Sequence, residues 1–265
     1  MDDYRQINRR LWNERTAAHL TTDFYDMAAF RAGASSLKPP ELAAVGPVEG
    51  QSLLHLQCHF GQDSLSWARL GAQVTGVDLS DVAIETARRL AQELALPAQF
   101  LACDLYEVPQ QLPTQFDVVV STYGTIGWLP DLDRWAAVVA QALKPNGRLV
   151  LVEFHPVLWM FDDAFTHFAY SYFNTGPIIT QTPGSYAAPG LDSTHSQEIG
   201  WNHSLAEVIG ALHRQGLSLD WFEEYPYSVW NCFPDMQLVG DEQWVVKGLG
   251  AKMPHMYGLR ATWRS

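Results

Sequence analysis

Five short polar segments carry most of the chemistry open to this sequence, and each follows an apolar run: Gln57-Cys58-His59-Phe60-Gly61, Asp78-Leu79, Asp104-Leu105, Ser121-Thr122-Tyr123-Gly124 and His155-Pro156. Open α/β sheets bind ligands beyond the carboxyl ends of their strands, so these segments come first if the runs are strands. Asp78 lies about twenty residues past the first turn, where a carboxylate can accept both ribose hydroxyls of an adenine nucleoside. An aspartate in that place also serves as the N-cap of a following helix. Asp104, after the next strand, adds a carboxylate suited to the exocyclic amine of adenine, and Leu79 and Ala83 would wall the base. Gln57, Cys58, His59, Gly61, Leu105 and Thr122 complete the candidate binding set by their position after strands.

The elements that must hold these residues follow from periodicity. Residues 52–56, 73–77, 99–102, 116–120 and 148–154 are short, mostly apolar runs, expected as buried strands. Helical spacing falls between them at 65–70, from Ser80 to about residue 94, and at 132–143, with Ser80 as an N-cap and Pro145-Asn146-Gly147 as a stop. Strands alternating with helices predict βαβ units and a parallel sheet. Ahead of them, residues from about 4 to 32 read as helix and Lys38-Pro39-Pro40 breaks the pattern, which predicts an N-terminal helical cap over 1–50 and a main domain over 51–265. Residues 157–201 lose the period and are rich in Pro, Gly and aromatics; they are expected to form a lid or substrate insertion. A helix capped at Asn202-His203-Ser204, a strand at 217–225, a loop at 226–248 and a last strand at 255–262 complete the chain.

Leu54-His55-Leu56-Gln57-Cys58-His59-Phe60-Gly61, Val77-Asp78-Leu79-Ser80, Asp104-Leu105, Phe116-Asp117-Val118-Val119 and Leu143-Lys144-Pro145-Asn146-Gly147-Arg148-Leu149 occur in that order. The series resembles class I S-adenosylmethionine-dependent methyltransferases, in particular the bacterial methyltransferase type 11/12 group, over roughly residues 52–155. The resemblance implies a Rossmann-like, doubly wound α/β fold with a seven-stranded sheet whose last strand is antiparallel. It also implies S-adenosyl-L-methionine as cofactor and methyl transfer to a small-molecule acceptor. The family's first loop usually reads D/E-x-G-x-G-x-G, and here those positions hold His55, Gln57, His59 and Gly61. Glycine lets a backbone take positive φ and approach a ligand closely, so this loop must bind differently, with the Gln57 amide placed near the methionine end.

The implied reaction is an in-line displacement at an activated sulfonium methyl. Positioning alone can supply effective molarities of about 10⁵–10⁸ M, which leaves a dedicated base optional. For a hydroxyl or ammonium acceptor a base helps. His155 is the first candidate, at a strand's carboxyl end and titrating near neutrality; Tyr123 and His203 are the others. Pro156 could equally fix His155 in a turn, and His203 stands at a helix start. Trp12, Tyr25, Trp128, Trp159, Tyr170 and Tyr172 could line the acceptor pocket, where rings attract a cation.

Composition bounds the rest. A chain of 265 residues with 47% hydrophobic and 17% charged residues can bury a sizeable core. Its formal net charge of −12 disfavours nucleic acid and anionic membrane surfaces as partners. Cys58, Cys103 and Cys232 form no close pair, which favours a reducing compartment. The first ten residues show no signal peptide, and no run reaches the ~18 apolar residues of a membrane span, so the expectation is a cytoplasmic protein. No His or Cys pair stands at metal-ligand spacing, and oligomeric state is open. Two competing readings share the fold. An NAD-dependent oxidoreductase would want G-x-G-x-x-G after the first strand, absent here, and gives Asp104 no task. A non-catalytic protein sensing S-adenosylmethionine or S-adenosylhomocysteine would not need the elaborate 157–201 region.

Overall fold

The computed structural model describes residues 4–264. Its centre is a seven-stranded mixed sheet: β1 (Ser52–Leu56), β2 (Gln73–Asp78), β3 (Ala98–Ala102), β4 (Phe116–Thr122), β5 (Leu143–Phe154), β8 (Leu217–Tyr225) and β11 (Met256–Trp263). The order is β3-β2-β1-β4-β5-β11-β8. The first five strands run parallel, and β11 lies antiparallel between β5 and β8. The winding reverses between β1 and β4, and that switch point opens a crevice at the strands' carboxyl ends.

The strands alternate between two apolar faces. Leu54, Val119, Leu149 and Leu151 enter one core with Trp135 of α7 (Leu132–Ala142) and Val208 of α8 (Leu205–Arg214). Leu53, Val118, Val120, Val150 and Val152 enter a second core on the opposite face. Adjacent strand residues point to opposite sides, so near-continuous apolar runs mean a sheet covered on both faces. The second face is covered by α3 (Pro39–Val45) and α4 (Gln62–Arg69), and α5 (Asp81–Glu93) packs on β2 and β3 beside them.

The expected strands are all present, and four details differ. Lys38-Pro39-Pro40 does not simply break a helix; Pro39 and Pro40 open α3, where a missing N–H costs nothing. The N-terminal helical stretch is divided into α1 (Tyr4–His19) and α2 (Met27–Arg31), and Met27 and Phe30 are buried in one core with Phe60 and Leu65. Strand β5 is continuous through Pro145-Asn146-Gly147, with Asn146 at φ +62°, and pairs irregularly with β4 there. The expected loop at 226–248 contains a hairpin, β9 (Met236–Gly240) with β10 (Gln243–Val246). A four-residue helix, α6 (Val108–Gln111), completes the helices.

Residues 157–201 hold a one-turn helix and a second hairpin, β6 (Ile178–Gln181) with β7 (Gln197–Gly200). Helix α1 lies against β7. The Asn8 amide donates to Ile199 O at 2.8 Å and accepts from Ile199 N at 3.0 Å, completing the strand edge as another strand would. Arg15 pairs with Glu198 at 3.0 Å. Glu14 accepts from Thr194 and His195 through both backbone N–H groups and both side chains. Burial alone would raise the Glu14 carboxyl, but these four bonds outweigh it and hold it down at about 2. A folded-state value below the ordinary one means that the latch is complete above the usual glutamate range and is lost as pH falls towards about 2. Glu14→Ala is therefore expected to lower amide-exchange protection at Thr194 and His195 by about 10-fold at neutral pH, with the sheet's protection unchanged. Equal protection in the variant would exclude the latch. Among the described residues no helix is long and apolar enough to cross a membrane.

Candidate active site

A cavity of about 880 Å3 opens at the carboxyl ends of β1, β2, β3 and β4 and runs beneath α1 and the β6–β7 hairpin. That volume is near the upper end of the ~300–1,000 Å3 usual for small-molecule sites, and it leaves space for two ligands side by side.

The loop after β1 forms the cavity's inner edge. Gln57, His59 and Gly61 all have positive φ, at +55°, +52° and +78°. The backbone thus keeps the left-handed path that glycines would take, although two of the three residues carry side chains. Such residues cost about 1–3 kcal/mol each and persist only where their surroundings hold them. Here the holders are visible. Asp78 Oδ2 accepts the His59 N–H at 2.8 Å, and Gln57 Nε2 donates to Thr125 O at 2.8 Å, tying the β1 loop to the β4 loop. Gly61 is a true glycine position, since a Cβ would lie 2.7 Å from the Phe100 ring and 2.9 Å from Ala87 Cβ. Gln57 Oε1 is buried and has no hydrogen-bond partner among the described residues. His55, at the position usual for the family's acid, is buried between Ser64 and Thr122, and burial lowers it to about 4, so it is a neutral brace.

Two carboxylates reach the cavity from neighbouring strands. Asp78 ends β2; besides His59, it accepts the Ser80 N–H on Oδ1 at 2.8 Å. Burial raises its pKa against the opposing N–H groups of Ser80, His59 and Leu79. Asp104 follows β3; Oδ1 accepts the Tyr106 N–H at 2.8 Å and Oδ2 pairs with Arg5 of α1 at 3.2 Å. Each oxygen keeps lone-pair capacity, because an ionised carboxylate offers about four acceptor sites.

Gln57, Cys58, His59, Gly61, Asp78, Leu79, Asp104, Leu105, Thr122, Tyr123 and His203 line the cavity as the sequence suggested. Two expected residues do not. Ala83 is fully buried among Phe60, Ile84 and Met27, because its place in the first turn of α5 turns it into the core rather than towards an adenine site. His155 also stands outside the cavity wall: Nδ1 accepts from Val157 N at 3.2 Å, and Nε2 meets Glu224 of β8 at 2.8 Å. This is the turn role that Pro156 hinted at. The remaining catalytic candidates are constrained. Tyr123, at φ +59°, has its hydroxyl buried, with Glu41 and Asp63 nearby, and burial pushes it well above the ordinary tyrosine range. Both His203 nitrogens are engaged, with Leu129 O at 2.8 Å and Glu207 at 2.9 Å. Burial, and then neighbouring His19, holds His59 well below its usual value, as a neutral ring against Trp12, His19, Tyr25 and Phe60. Of the named rings, Trp12, Tyr25, Trp128, Trp159 and Tyr170 face the cavity; Tyr172 does not, its hydroxyl accepting the Leu205 N–H at the start of α8.

Three contributors were not singled out from the sequence. Glu153 of β5 is 2% exposed and accepts the N–H groups of Gly124, Thr125, Ile126 and Phe154 together with the Thr125 hydroxyl. It holds the β4 loop at the cavity's floor. A carboxylate inside the apolar run 149–154 was the available signal. Arg5 and Asp63 carried none, since each reads as an ordinary exposed helix residue.

Residues 54–149 match the family model described as a methyltransferase domain. Over that stretch, well under half of its length, the chain is similar to methyltransferase domains. The matched stretch runs from β1 into β5 and includes Gln57, Asp78, Asp104 and the β4 loop. A ubiquinone biosynthesis O-methyltransferase of Albidiferax ferrireducens is 36% identical over 102 residues, covering 38% of this chain and 40% of that one. An S-adenosyl-L-methionine-dependent Diels-Alderase of Talaromyces variabilis is 32% identical over 106 residues, covering 39% and 36%. The chain thus spans well under half the length of these curated relatives. A candidate S-adenosylmethionine-dependent methyltransferase from Listeria monocytogenes shares the fold with a TM-score of 0.63 at 18% identity, covering 90% of this chain and 99% of that one. The sheet order, the antiparallel β11 and the flanking helices are those of the Rossmann-like methyltransferase fold.

Proposed function

We propose that this protein binds S-adenosyl-L-methionine in the crevice above β1, β2 and β3 and methylates a small molecule held beside it, in the cytoplasm. The observation that carries the reading is Asp78: a half-buried carboxylate at the switch-point crevice, braced by two backbone N–H groups and retaining acceptor capacity for two ribose hydroxyls. The donor set fits the rest of the cofactor. Asp104 would take the adenine amine, Leu79 and Leu105 the faces of the base, and the orphaned Gln57 Oε1 the methionine ammonium. Cys58, His59, Gly61 and Thr122 would shape the remaining wall. When bound, S-adenosylmethionine supplies an activated sulfonium methyl group.

The protein's own residues then bind, orient and exclude water. Helix α1 and residues 157–201 act as the lid, joined by the Asn8, Glu14 and Arg15 contacts. Tyr123 and His203 serve as positioning groups in this reading, because neither is available as a free base. Closure over an oriented pair is the main source of rate in such a transfer.

Calorimetric titration with S-adenosylmethionine, S-adenosylhomocysteine and NAD tests the cofactor. Micromolar binding of the first two with none of NAD is expected. Absence of binding by the adenosyl pair would mean that Gln57 and His59 have closed the site.

A further inference from the structure

One end of the cavity has no task in cofactor binding. Asp63, in the first turn of α4, faces the cavity there. Aromatic rings surround it. Phe24 stacks on Trp230 with centroids 5.2 Å apart, Trp230 meets Tyr123 edge-on at 5.8 Å, and the hydroxyls of Tyr25 and Tyr186 are hydrogen-bonded at 2.5 Å. The cavity lining is strongly unbalanced in charge. Seven carboxylates stand against two guanidinium groups, and both of those are already paired, Arg5 with Asp104 and Arg15 with Glu198. Lys38 lies over the Trp230 ring, 4.6 Å from its centroid, and is paired with Glu242. An anionic ligand would find no unpaired Arg or Lys among the described lining residues, whereas a cation meets a carboxylate within a wall of π faces.

We propose that this end of the cavity binds the methyl acceptor as an organic ammonium ion with an aromatic or other apolar body, its charge seated against Asp63 and the rings of Tyr25 and Tyr123. The inference rests on the proposed function and deepens it. Burial pushes Asp63 up to about 6, opposed by Ser36 and Lys38, so the carboxylate is ionised at pH 7.5. Tyr25, Tyr123 and Tyr186 also face it and are all held above the ordinary tyrosine range, so they keep their protons. Glu41 is the other acid of the cluster, raised well above its usual value by burial.

The test is calorimetry of the protein saturated with S-adenosylhomocysteine, titrated at pH 7.5 with benzylamine, benzyl alcohol and benzoate as probes. Benzylamine is expected to bind at least about ten-fold tighter than the alcohol, and benzoate more weakly than either. Asp63→Asn should bring benzylamine to the level of the alcohol while S-adenosylhomocysteine affinity stays unchanged. The unmodified protein at pH 5, where benzylamine keeps its charge and Asp63 loses its own, should show the same loss without any variant, and Asp63→Asn separates the part of that loss due to Glu41. Equal or tighter binding of benzoate or the alcohol overturns the proposal. So does an Asp63→Asn protein that loses S-adenosylhomocysteine but keeps the amine preference, since Asp63 would then belong to the cofactor. If S-adenosylhomocysteine does not bind the unmodified protein, the cofactor reading fails separately, and the amine preference measured on the protein alone still decides this subsite.

Discussion

Asp78→Ala is expected to weaken S-adenosylhomocysteine binding by about 100-fold or more. Two hydrogen bonds from ribose hydroxyls to a charged acceptor are worth roughly 3–6 kcal/mol together, which corresponds to about 100- to 10,000-fold in affinity. The geometry adds a second loss in the same direction. Asp78 Oδ2 holds the His59 N–H, and that bond helps to keep His59 at φ +52°. Without it the β1 loop is free to relax towards ordinary φ, carrying the Gln57 and His59 side chains with it. The fold itself should survive, because the apolar contacts of β2 run through Val74 and Val77 rather than Asp78. Asp78→Asn divides the two roles. It preserves shape and one acceptor oxygen but turns an NH₂ towards either His59 N–H or Ser80 N–H, so it should lose affinity nearly as badly. Binding should also weaken on acidification, with a midpoint above the ordinary aspartate range, because burial raises the Asp78 pKa and only the ionised form accepts from both hydroxyls. Calorimetry of the folded variant decides the matter, and undiminished affinity would sink the ribose assignment.

The sheet was legible because its strands obey a simple rule. The stretches 118–120 and 149–152 are apolar at every position, which only a strand buried on both faces requires, and they lie in the parallel strands Phe116–Thr122 and Leu143–Phe154. The hairpin β9–β10 was not legible. Its first strand is largely exposed, with Leu238 and Val239 more than half exposed, and its second buries only the adjacent pair Val245 and Val246, so no alternating buried face imposed a period. At the site, position after a strand found Asp78, Asp104 and Gln57, because chain direction alone places those residues in the crevice. It could not distinguish His155 from them. His155 also follows a strand, but its neighbour in the sheet is β11, whose partner β8 supplies Glu224, and that pairing is a long-range fact absent from the local sequence. Ala83 failed for a related reason, since rotation about the α5 axis decides whether a first-turn residue meets the ligand or the core. The path of the β1 loop was not legible either. Gln57 and His59 in place of glycines implied a loop that binds differently, whereas the backbone keeps the left-handed path that glycines would take and is held there by Asp78 and Thr125.

Glu153→Ala should destabilise the fold by about 3–5 kcal/mol, a large part of the ~5–15 kcal/mol typical of a domain. Oε1 accepts from the Thr125 N–H, the Thr125 hydroxyl and the Ile126 N–H, and Oε2 accepts from the Gly124 and Phe154 N–H groups at 2.7 and 2.8 Å. Removal of the carboxylate leaves four backbone donors without that partner in a buried place, and each unsatisfied group costs about 1–3 kcal/mol before relaxation. Partial entry of water keeps the sum below the additive figure. Glu153→Gln should fall between, since its single oxygen can serve only one of the two donor sets while the NH₂ opposes the other. In urea unfolding both variants should show a lower midpoint with an unchanged slope. The consequence for function is specific. Thr125 O is the acceptor that fixes Gln57 Nε2, so loosening residues 124–126 also releases the side chain proposed to meet the methionine ammonium. In the glutamine variant, amide exchange at Gly124, Thr125 and Ile126 should rise well above that of β1 and β4, and S-adenosylhomocysteine affinity should drop even under conditions where the protein remains folded. A Glu153→Ala protein within about 1 kcal/mol of the parent would show that water replaces the carboxylate at no cost, and the β4 loop would then owe its shape to Gly124 and Tyr123 instead.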